Sequence, residues 1–408
     1  MSVFATPFES PFWPFNVVVG AGAIKNIPDY VSNLTDGKGK KVIFSTDPGL
    51  VKMDKTKECI QIIKDGGYEV EVFSDVEQNP TDKNVMSLVG VMKKFKPDAI
   101  VYYGGGSATD CGKVANVVYT HNGDEPQYFS SYNDGPKKIK KNTLLPAISV
   151  ATTAGTGTET STSAVITDTK KKQKFSVYST WVLPDISLLD PEVTLSLPPN
   201  LTAWTGLDAL VHNIEAYFSN VPFLPIRGVA LQGVKTIYKY LRQAYVDPTN
   251  IEARENMLVG SCCGAIAFNI IGLGIVHATA HQLSSVAGLH HGLSCALMMR
   301  PCMQWNLPSC QQELADCAQA MGVKIDNMSL RDAAQASIDM FGKMMKDLDC
   351  PMNLKQAGVK ESMIDEMTEK AFTDRNSLNN PRQNNPEPHV VTKETIRQLY
   401  LAAYNYGE

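Results

Sequence analysis

Residues 99–110 read Ala-Ile-Val-Tyr-Tyr-Gly-Gly-Gly-Ser-Ala-Thr-Asp. The first five are apolar and β-prone, three glycines break the run, and the residues after them are compatible with a helix. Strand, glycine turn and helix together form half of a βαβ unit whose turn can receive a phosphate. Glycine removes the Cβ that would hold a ligand off the backbone, and the helix beyond offers unpaired N–H groups. Tight packing alone can also account for such a turn, so its neighbours decide the reading. The G-x-G-x-x-G pattern is not met in its usual place: Gly20-Ala21-Gly22 lacks the third glycine and precedes the first strong βα unit. An ordinary dinucleotide fold is therefore not indicated.

Outward from this stretch the pattern repeats. Residues 41–46 (KVIFST) read as a strand ending at Asp47-Pro48-Gly49, residues 68–73 come after a Gly66-Gly67 turn, and residues 145–150 run into Thr152-Thr153-Ala154-Gly155-Thr156-Gly157-Thr158. Helical segments at 52–64 and 84–95 lie between them. Strands spaced by helices predict a parallel sheet. Residues 164–168 and 174–179, separated by TKKKQ, are expected to form a hairpin added to that sheet.

The texture changes at Asp190-Pro191. Pro198-Pro199 argues against a helix there, and Asn200 or Thr202 is a candidate cap for the next helix. Helical patterns then dominate: 201–218, 226–244, 251–269, 277–283 and more up to Tyr404. The expected fold class is α/β plus all-α: a parallel-sheet nucleotide-binding domain over 1–190, then a helical domain over 191–408. The proline-rich stretch 379–388 (NNPRQNNPEP) reads as a surface loop or a lid.

Composition narrows the function. Of 408 residues, 43% are hydrophobic and 20% charged, as in an ordinary globular protein. The 38 basic and 42 acidic residues leave −4, so there is no bulk attraction for nucleic acid or an anionic membrane. No apolar run approaches the roughly 18 residues of a membrane span. MSVFATPFESPFWPF lacks a basic start and an apolar core, so no secretory leader is expected. Nine scattered cysteines, an odd count without a C-x-x-C pair, suit reduced thiols and a cytoplasmic location.

Two loops support the phosphate reading. The hydroxyl-rich loop 152–158 can hydrogen-bond a pyrophosphate or ribose at the carboxyl edge of a sheet. Asp47, ending a strand, can accept from both ribose hydroxyls and repel a 2′-phosphate, which favours NAD over NADP. A strand-terminal Asp is also a common turn former.

Of only seven histidines, His277, His281, His290 and His291 fall within one fifteen-residue span. His277 and His281 are four residues apart, as are Asp208 and His212, so each pair shares a helix face. The surroundings are apolar, and buried polar side chains need partners that a divalent cation can supply. Spacing alone does not say which three histidines bind. No Glu comes directly after the first His, so this is not the H-E-x-x-H pattern. The oxygen and nitrogen set suits Fe²⁺, Zn²⁺, Mn²⁺ or Ni²⁺, contains no thiolate to favour zinc, and does not choose among the four.

With these residues in place, the chain resembles the iron-dependent (group III) alcohol dehydrogenases over nearly its whole length. The matching segments are FSTDPGL, NPTDKNV, GGGSATDCGK, ATTAGTGTETSTSAVITD, TGLDALVHNIEAY, GLGIVHATAHQL, HHGLSCA and NNPR. The resemblance implies an active site in the cleft between the domains, an Fe²⁺ ion on Asp208, His212, His277 and His291, and His281 beside the nicotinamide as proton relay. Asp47, Asn79, Gly105, Gly106, Ser107, Asp110, Thr152, Thr153, Thr156 and Lys174 would hold NAD, and Phe268 would line the substrate pocket.

Thr162 stands where many members carry Arg or a bulkier residue, Ser163 follows it, and Arg375, which can also be read as a solvated surface residue, stands where the family is often neutral. These residues are therefore expected to receive a polar or anionic substrate tail. The implied reaction is hydride transfer between NAD(H) and a short-chain alcohol or aldehyde, a diol or a carboxylated or sulfonated aldehyde among them, by a homodimer or larger homo-oligomer. A lyase resembling dehydroquinate synthase is the alternative. His290 has no assigned role, and His121 and His389 are expected at the surface.

Overall fold

The computed structural model describes residues 8–10, 16–130, 138–140, 143–171, 173–221, 223–374, 379–383 and 391–407. The chain divides into two compact units: Met1–Thr153 with Gly157–Leu197, and Ala154–Thr156 with Pro198–Glu408.

In the first unit the elements are β1 (Phe8–Ser10), β2 (Asn16–Val19), α1 (Ile27–Leu34), β3 (Lys41–Ser45), α2 (Asp54–Asp65), β4 (Glu69–Phe73), α3 (Asp82–Phe95), β5 (Ala99–Gly104), α4 (Gly106–Thr120), β6 (Ala147–Ala151), β7 (Ser163–Asp168), β8 (Gln173–Tyr178) and β9 (Ile186–Leu189). Seven strands form one sheet in the order β1-β2-β9-β6-β5-β3-β4. Six of them run parallel, and β1 pairs antiparallel with β2 at the edge.

Alternation sorts the side chains. Ile43, Ile100 and Tyr102 pack with α3 and α4, while Val42, Phe44, Val101 and Tyr103 pack with α1 and α2. Both faces are covered, which is why β5 is buried along its full length and reads as an unbroken apolar run. Counted from β3, the parallel order is 2-1-3-4-5, so strand order reverses between β3 and β5. Ligands of open α/β sheets bind beyond the carboxyl ends of the strands at such a reversal. Asp47 comes just after β3 and the glycine turn just after β5.

The hairpin forms at the expected residues but does not extend the sheet. β7 and β8 make a two-stranded sheet of their own, with an isolated bridge from Thr81 to Thr167. Ala164, Ile166, Phe175 and Val177 form its apolar face and are buried in the α3/α4 layer. Seated there, the hairpin takes its apolar face out of water.

The second unit comprises α5 (Pro199–Tyr217), α6 (Leu224–Val246), α7 (Ile251–Ile271), α8 (Ile275–Val286), α9 (His291–Asn306), α10 (Gln311–Ala320), α11 (Leu330–Asp347), α12 (Ile364–Phe372) and α13 (Lys393–Tyr404). α5 packs against α6, α7 and α9, and α8 against α9 and α12. Contrary to the reading of Pro198-Pro199, α5 begins at Pro199, and neither Asn200 nor Thr202 caps it. Proline fits the first helical position, where its missing N–H is not needed.

α7 and α8 meet at a bend of 110°, where Gly272 takes a left-handed φ of 76°. The expected 379–388 loop is built in at its start: Asn379 donates to the Ile271 carbonyl (2.9 Å), and the fully buried Asn380 accepts from the Ile275 amide (3.0 Å). These two asparagines close both helix ends at the bend, while residues 384–390 lie outside the described residues. Among the described residues no single helix is long and apolar enough to cross a membrane. All nine cysteines stand outside disulfides.

Candidate metal centre and nucleotide loops

Three helices bring the clustered donors together. α5 carries Asp208 and His212 one turn apart, α8 carries His277, and α9 opens on His291. Asp208, His212 and His277 are 2%, 4% and 2% exposed, so they are cut off from bulk water. The three imidazole Nε2 atoms of His212, His277 and His291 lie 3.9, 3.9 and 3.8 Å from Asp208 Oδ1. That oxygen has no hydrogen-bond partner. A buried acceptor without a donor costs about 1–3 kcal/mol, and a cation among these four atoms removes the deficit. The donor set therefore fits a divalent metal.

The far nitrogens set the tautomers. His277 Nδ1 is 2.6 Å from Glu215 Oε2, and His212 Nδ1 is 3.3 Å from the Gly155 carbonyl. Each Nδ1–H thus has an acceptor, leaving the Nε2 lone pair for the cation. Glu215 is fully buried, and its Oε1 accepts from the Val276 amide at 2.8 Å.

Charge agrees with this assignment. Burial raises the Asp208 pKa, but His212, His291 and His277 outweigh it and hold the carboxyl at about 2. Burial draws His212 down to about 4, so it is neutral at pH 7. For His277 burial also lowers the pKa, but the Glu215 bond more than offsets this and raises it.

One donor was not foreseen. Cys295, one turn after His291, places Sγ 3.7 Å from both His277 Nε2 and His291 Nε2. Donor atoms of Asp208, His277, His291 and Cys295 lie within 4.8 Å of one another. A cysteine thiol thus stands beside the oxygen and nitrogen donors read from the sequence. His291 and Cys295, like Asp208 and His212, are four apart on one helix. Glu215, three residues beyond His212, was legible by the same geometry.

His281 lies one turn beyond His277, outside that donor group. Its Nδ1 is 2.9 Å from Asp374 Oδ2, and its ring stacks on His291 with centroids 5.5 Å apart. Asp374 is 93 positions away and carried no local signal. Phe268 on α7 packs its ring 4.9 Å from that of His212. His290 caps α9, its Nδ1 accepting from the Gly292 amide at 3.2 Å. Gly292 is required there, since a Cβ would lie 2.1 Å from the Trp204 carbonyl oxygen on α5. His121 is half-buried rather than simply exposed: Nδ1 meets the Val117 carbonyl, and Nε2 accepts from the Lys140 amide at 3.0 Å. His389 and Arg375 lie outside the described residues.

In the first unit Gly105 is the N-cap of α4, and Gly106 and Ser107 lie in its first turn. The first amides of α4 have no acceptor within the helix. A Cβ on Gly105 would stand 2.8 Å from Thr153 Oγ1. The Thr152 amide donates to the Gly104 carbonyl at 3.1 Å. These contacts join the two loops into one cradle that fits a pyrophosphate. Asp47 Oδ1 accepts from the Gly49 and Leu50 amides at 2.8 and 2.9 Å, so the turn-forming role is realised. Asn79, at φ 57°, accepts from Lys174 Nζ at 2.9 Å.

Asp110 has both oxygens engaged, from the Thr158 hydroxyl (2.5 Å) and the Val165 amide (2.9 Å). The buried Lys113 donates to the Thr158 and Ser161 carbonyls, each at 2.6 Å, and so pins the segment after the loop. Thr162 is buried, Ser163 shares a 2.6 Å bond with Ser176 across the hairpin, and Thr156 belongs to the three-residue segment of the second unit.

The comparisons with known proteins agree along the chain. Residues 14–191 match the family described as iron-containing alcohol dehydrogenase, and residues 202–404 its C-terminal part. The 1,3-propanediol dehydrogenase of Citrobacter freundii is 38% identical over 364 residues, covering 89% of this chain and 92% of its own. The NAD-dependent methanol dehydrogenase of Bacillus methanolicus is 33% identical, covering 95% and 98%. The solved alcohol dehydrogenase of Oenococcus oeni superposes with a TM-score of 0.89 at 34% identity, covering 98% and 100%.

Proposed function

This chain belongs to the iron-containing alcohol dehydrogenase family, and on that premise we propose that it transfers a hydride between NAD(H) and a short-chain alcohol or aldehyde. Asp208, His212, His277 and His291 hold a divalent cation, Fe²⁺ by family. Gly105, Gly106 and Ser107 with Thr152, Thr153 and Thr156 hold the pyrophosphate side of NAD. Asp47 takes the adenosine ribose and repels a 2′-phosphate. Asn79, Lys174 and Asp110 complete that site, and Phe268 walls the substrate pocket. Thr162, Ser163 and Arg375 receive the substrate's tail, which in this chain is polar or anionic.

When bound, the cation polarises the substrate oxygen and the nicotinamide accepts or donates the hydride. The chain's own residues manage the proton. In the oxidative direction the hydroxyl proton passes to His281 Nε2, and Asp374, held 2.9 Å from Nδ1, stabilises the imidazolium. In the reductive direction the same nitrogen returns it. The chain works as a homodimer or larger homo-oligomer in the cytoplasm. The cyclising lyase is not favoured, because the relatives compared are dehydrogenases by name.

The observation that carries this reading is the unpartnered, buried Asp208 oxygen among three imidazole nitrogens. The test strips the protein with a chelator and reloads it with Fe²⁺, Zn²⁺, Mn²⁺ or Ni²⁺. NADH oxidation is then followed with a panel of short aldehydes. Restored turnover that Asp208→Asn abolishes is expected. Undiminished turnover in the stripped protein would overturn the reading.

A further inference from the structure

We propose that Cys295 is a donor of the metal centre, making the site a mixed carboxylate, imidazole and thiolate set that prefers a thiophilic cation such as Zn²⁺. The proposal rests on the metal-binding reading above and adds a ligand to it. Three observations carry it. Cys295 is fully buried, sealed among the donors instead of facing solvent. It lies one turn of α9 beyond His291, so the two side chains project from one helix face. Its Sγ is also equidistant, at 3.7 Å, from the two imidazole nitrogens of His277 and His291.

The distances suit a thiol that shares a cation with these imidazoles. With metal–nitrogen bonds of about 2.0–2.1 Å and a metal–sulfur bond of about 2.3 Å, two ligands at the tetrahedral angle stand about 3.6 Å apart. The observed separations match that edge. Asp208, His277, His291 and Cys295 present their donor atoms within 4.8 Å of one another. His212 Nε2 stands 3.9 Å from Asp208 Oδ1 and keeps its place, so Cys295 adds to the set without displacing it. The thiol proton also has a clear fate. In the metal-free protein the thiol carries its proton beside two imidazole nitrogens, 3.7 Å from each. On binding, the cation takes the place of that proton: the S–H bond breaks, a sulfur–metal bond forms and H⁺ leaves to solvent. Soft thiolate then favours Zn²⁺ over Mn²⁺ beyond what oxygen and nitrogen ligands provide.

The test loads the metal-free full chain with Co²⁺ and records its absorption spectrum. Visible d–d bands report occupancy of the centre, and a near-ultraviolet thiolate-to-cobalt band reports sulfur in the coordination sphere. We expect both in the parent protein. Cys295→Ser and Cys295→Ala should keep the visible bands and lose the near-ultraviolet one, with the eight other cysteines intact. Zn²⁺ affinity in chelator competition should fall roughly tenfold or more, and Mn²⁺ affinity much less. Visible bands without the near-ultraviolet band in the parent would overturn the proposal and leave the Asp–His reading standing. No cobalt spectrum at all would overturn both.

Discussion

Replacing Glu215 with Gln tests whether the carboxylate behind His277 sets the metal affinity. The side chain is fully buried and makes two bonds, 2.6 Å to His277 Nδ1 and 2.8 Å from the Val276 amide. Glutamine is nearly isosteric but has one acceptor and one donor end. If its oxygen keeps the Val276 amide, its NH₂ points at Nδ1 and can bond only an unprotonated nitrogen. The proton then moves to Nε2, which no longer offers a lone pair toward Asp208. If the amide flips, the oxygen accepts from Nδ1–H, but the NH₂ meets the Val276 N–H, donor against donor. Either way one buried hydrogen bond is lost, worth about 1–3 kcal/mol. At 1.4 kcal/mol per decade this is roughly a 5- to 150-fold loss of metal affinity, in line with the 10- to 100-fold typical of partners behind a ligating histidine. The assay is chelator competition for Zn²⁺ and Fe²⁺ on the parent and Glu215→Gln, with thermal unfolding as a check on the fold. Unchanged affinity in a folded variant would refute the argument that Glu215 holds the ligating tautomer.

Three further outcomes are expected. Asp47→Ser removes the carboxylate assigned to the ribose. A charge-assisted bond is worth about 1.5–3 kcal/mol, so KM for NAD should rise roughly tenfold while use of NADP improves; a parallel change for both cofactors would count against the role. Burial pushes Glu159 up to about 7 from 4.5. Its folded pKa is raised, so its contribution to stability is present below pH 4.5 and is lost as pH climbs through about 7. Glu159→Gln should therefore gain on the parent by up to about 3 kcal/mol between pH 4.5 and roughly 8, read as a growing Tm difference; a constant difference would disprove it. Arg375→Ala should lower kcat/KM roughly tenfold or more for anionic hydroxy compounds, and little for ethanol or 1,3-propanediol. An equal loss for all would sink the anionic-tail assignment.

Local periodicity made much of this protein legible. The central strands β3, β5 and β6 are buried and read as apolar runs because both faces of the sheet are covered. Asp208 and His212 could be put on one helix face because four residues make about one turn. The same arithmetic applied to Glu215 and Cys295 would have exposed both. Neither stands out in the sequence, because a Glu or Cys in an apolar helix looks like an isolated exception until its neighbours are known. The hairpin was legible as a hairpin, but its packing over α3 and α4 was not, since an alternating strand carries the same pattern whichever surface it covers.

The chemistry available at each position, the glycine turn after β5 and the i,i+4 pairs were determined by the sequence alone, because they depend on a few bonded neighbours. Convergence was decided by tertiary structure. His281 meets Asp374 across 93 positions, and His290 turns away to cap α9 while its neighbour His291 faces Asp208. Which nitrogen of His277 is left for a cation depends on Glu215 lying behind it. These outcomes arise from the packing of α5, α8 and α9, set by the burial of many side chains at once, and no short stretch of sequence encodes that sum.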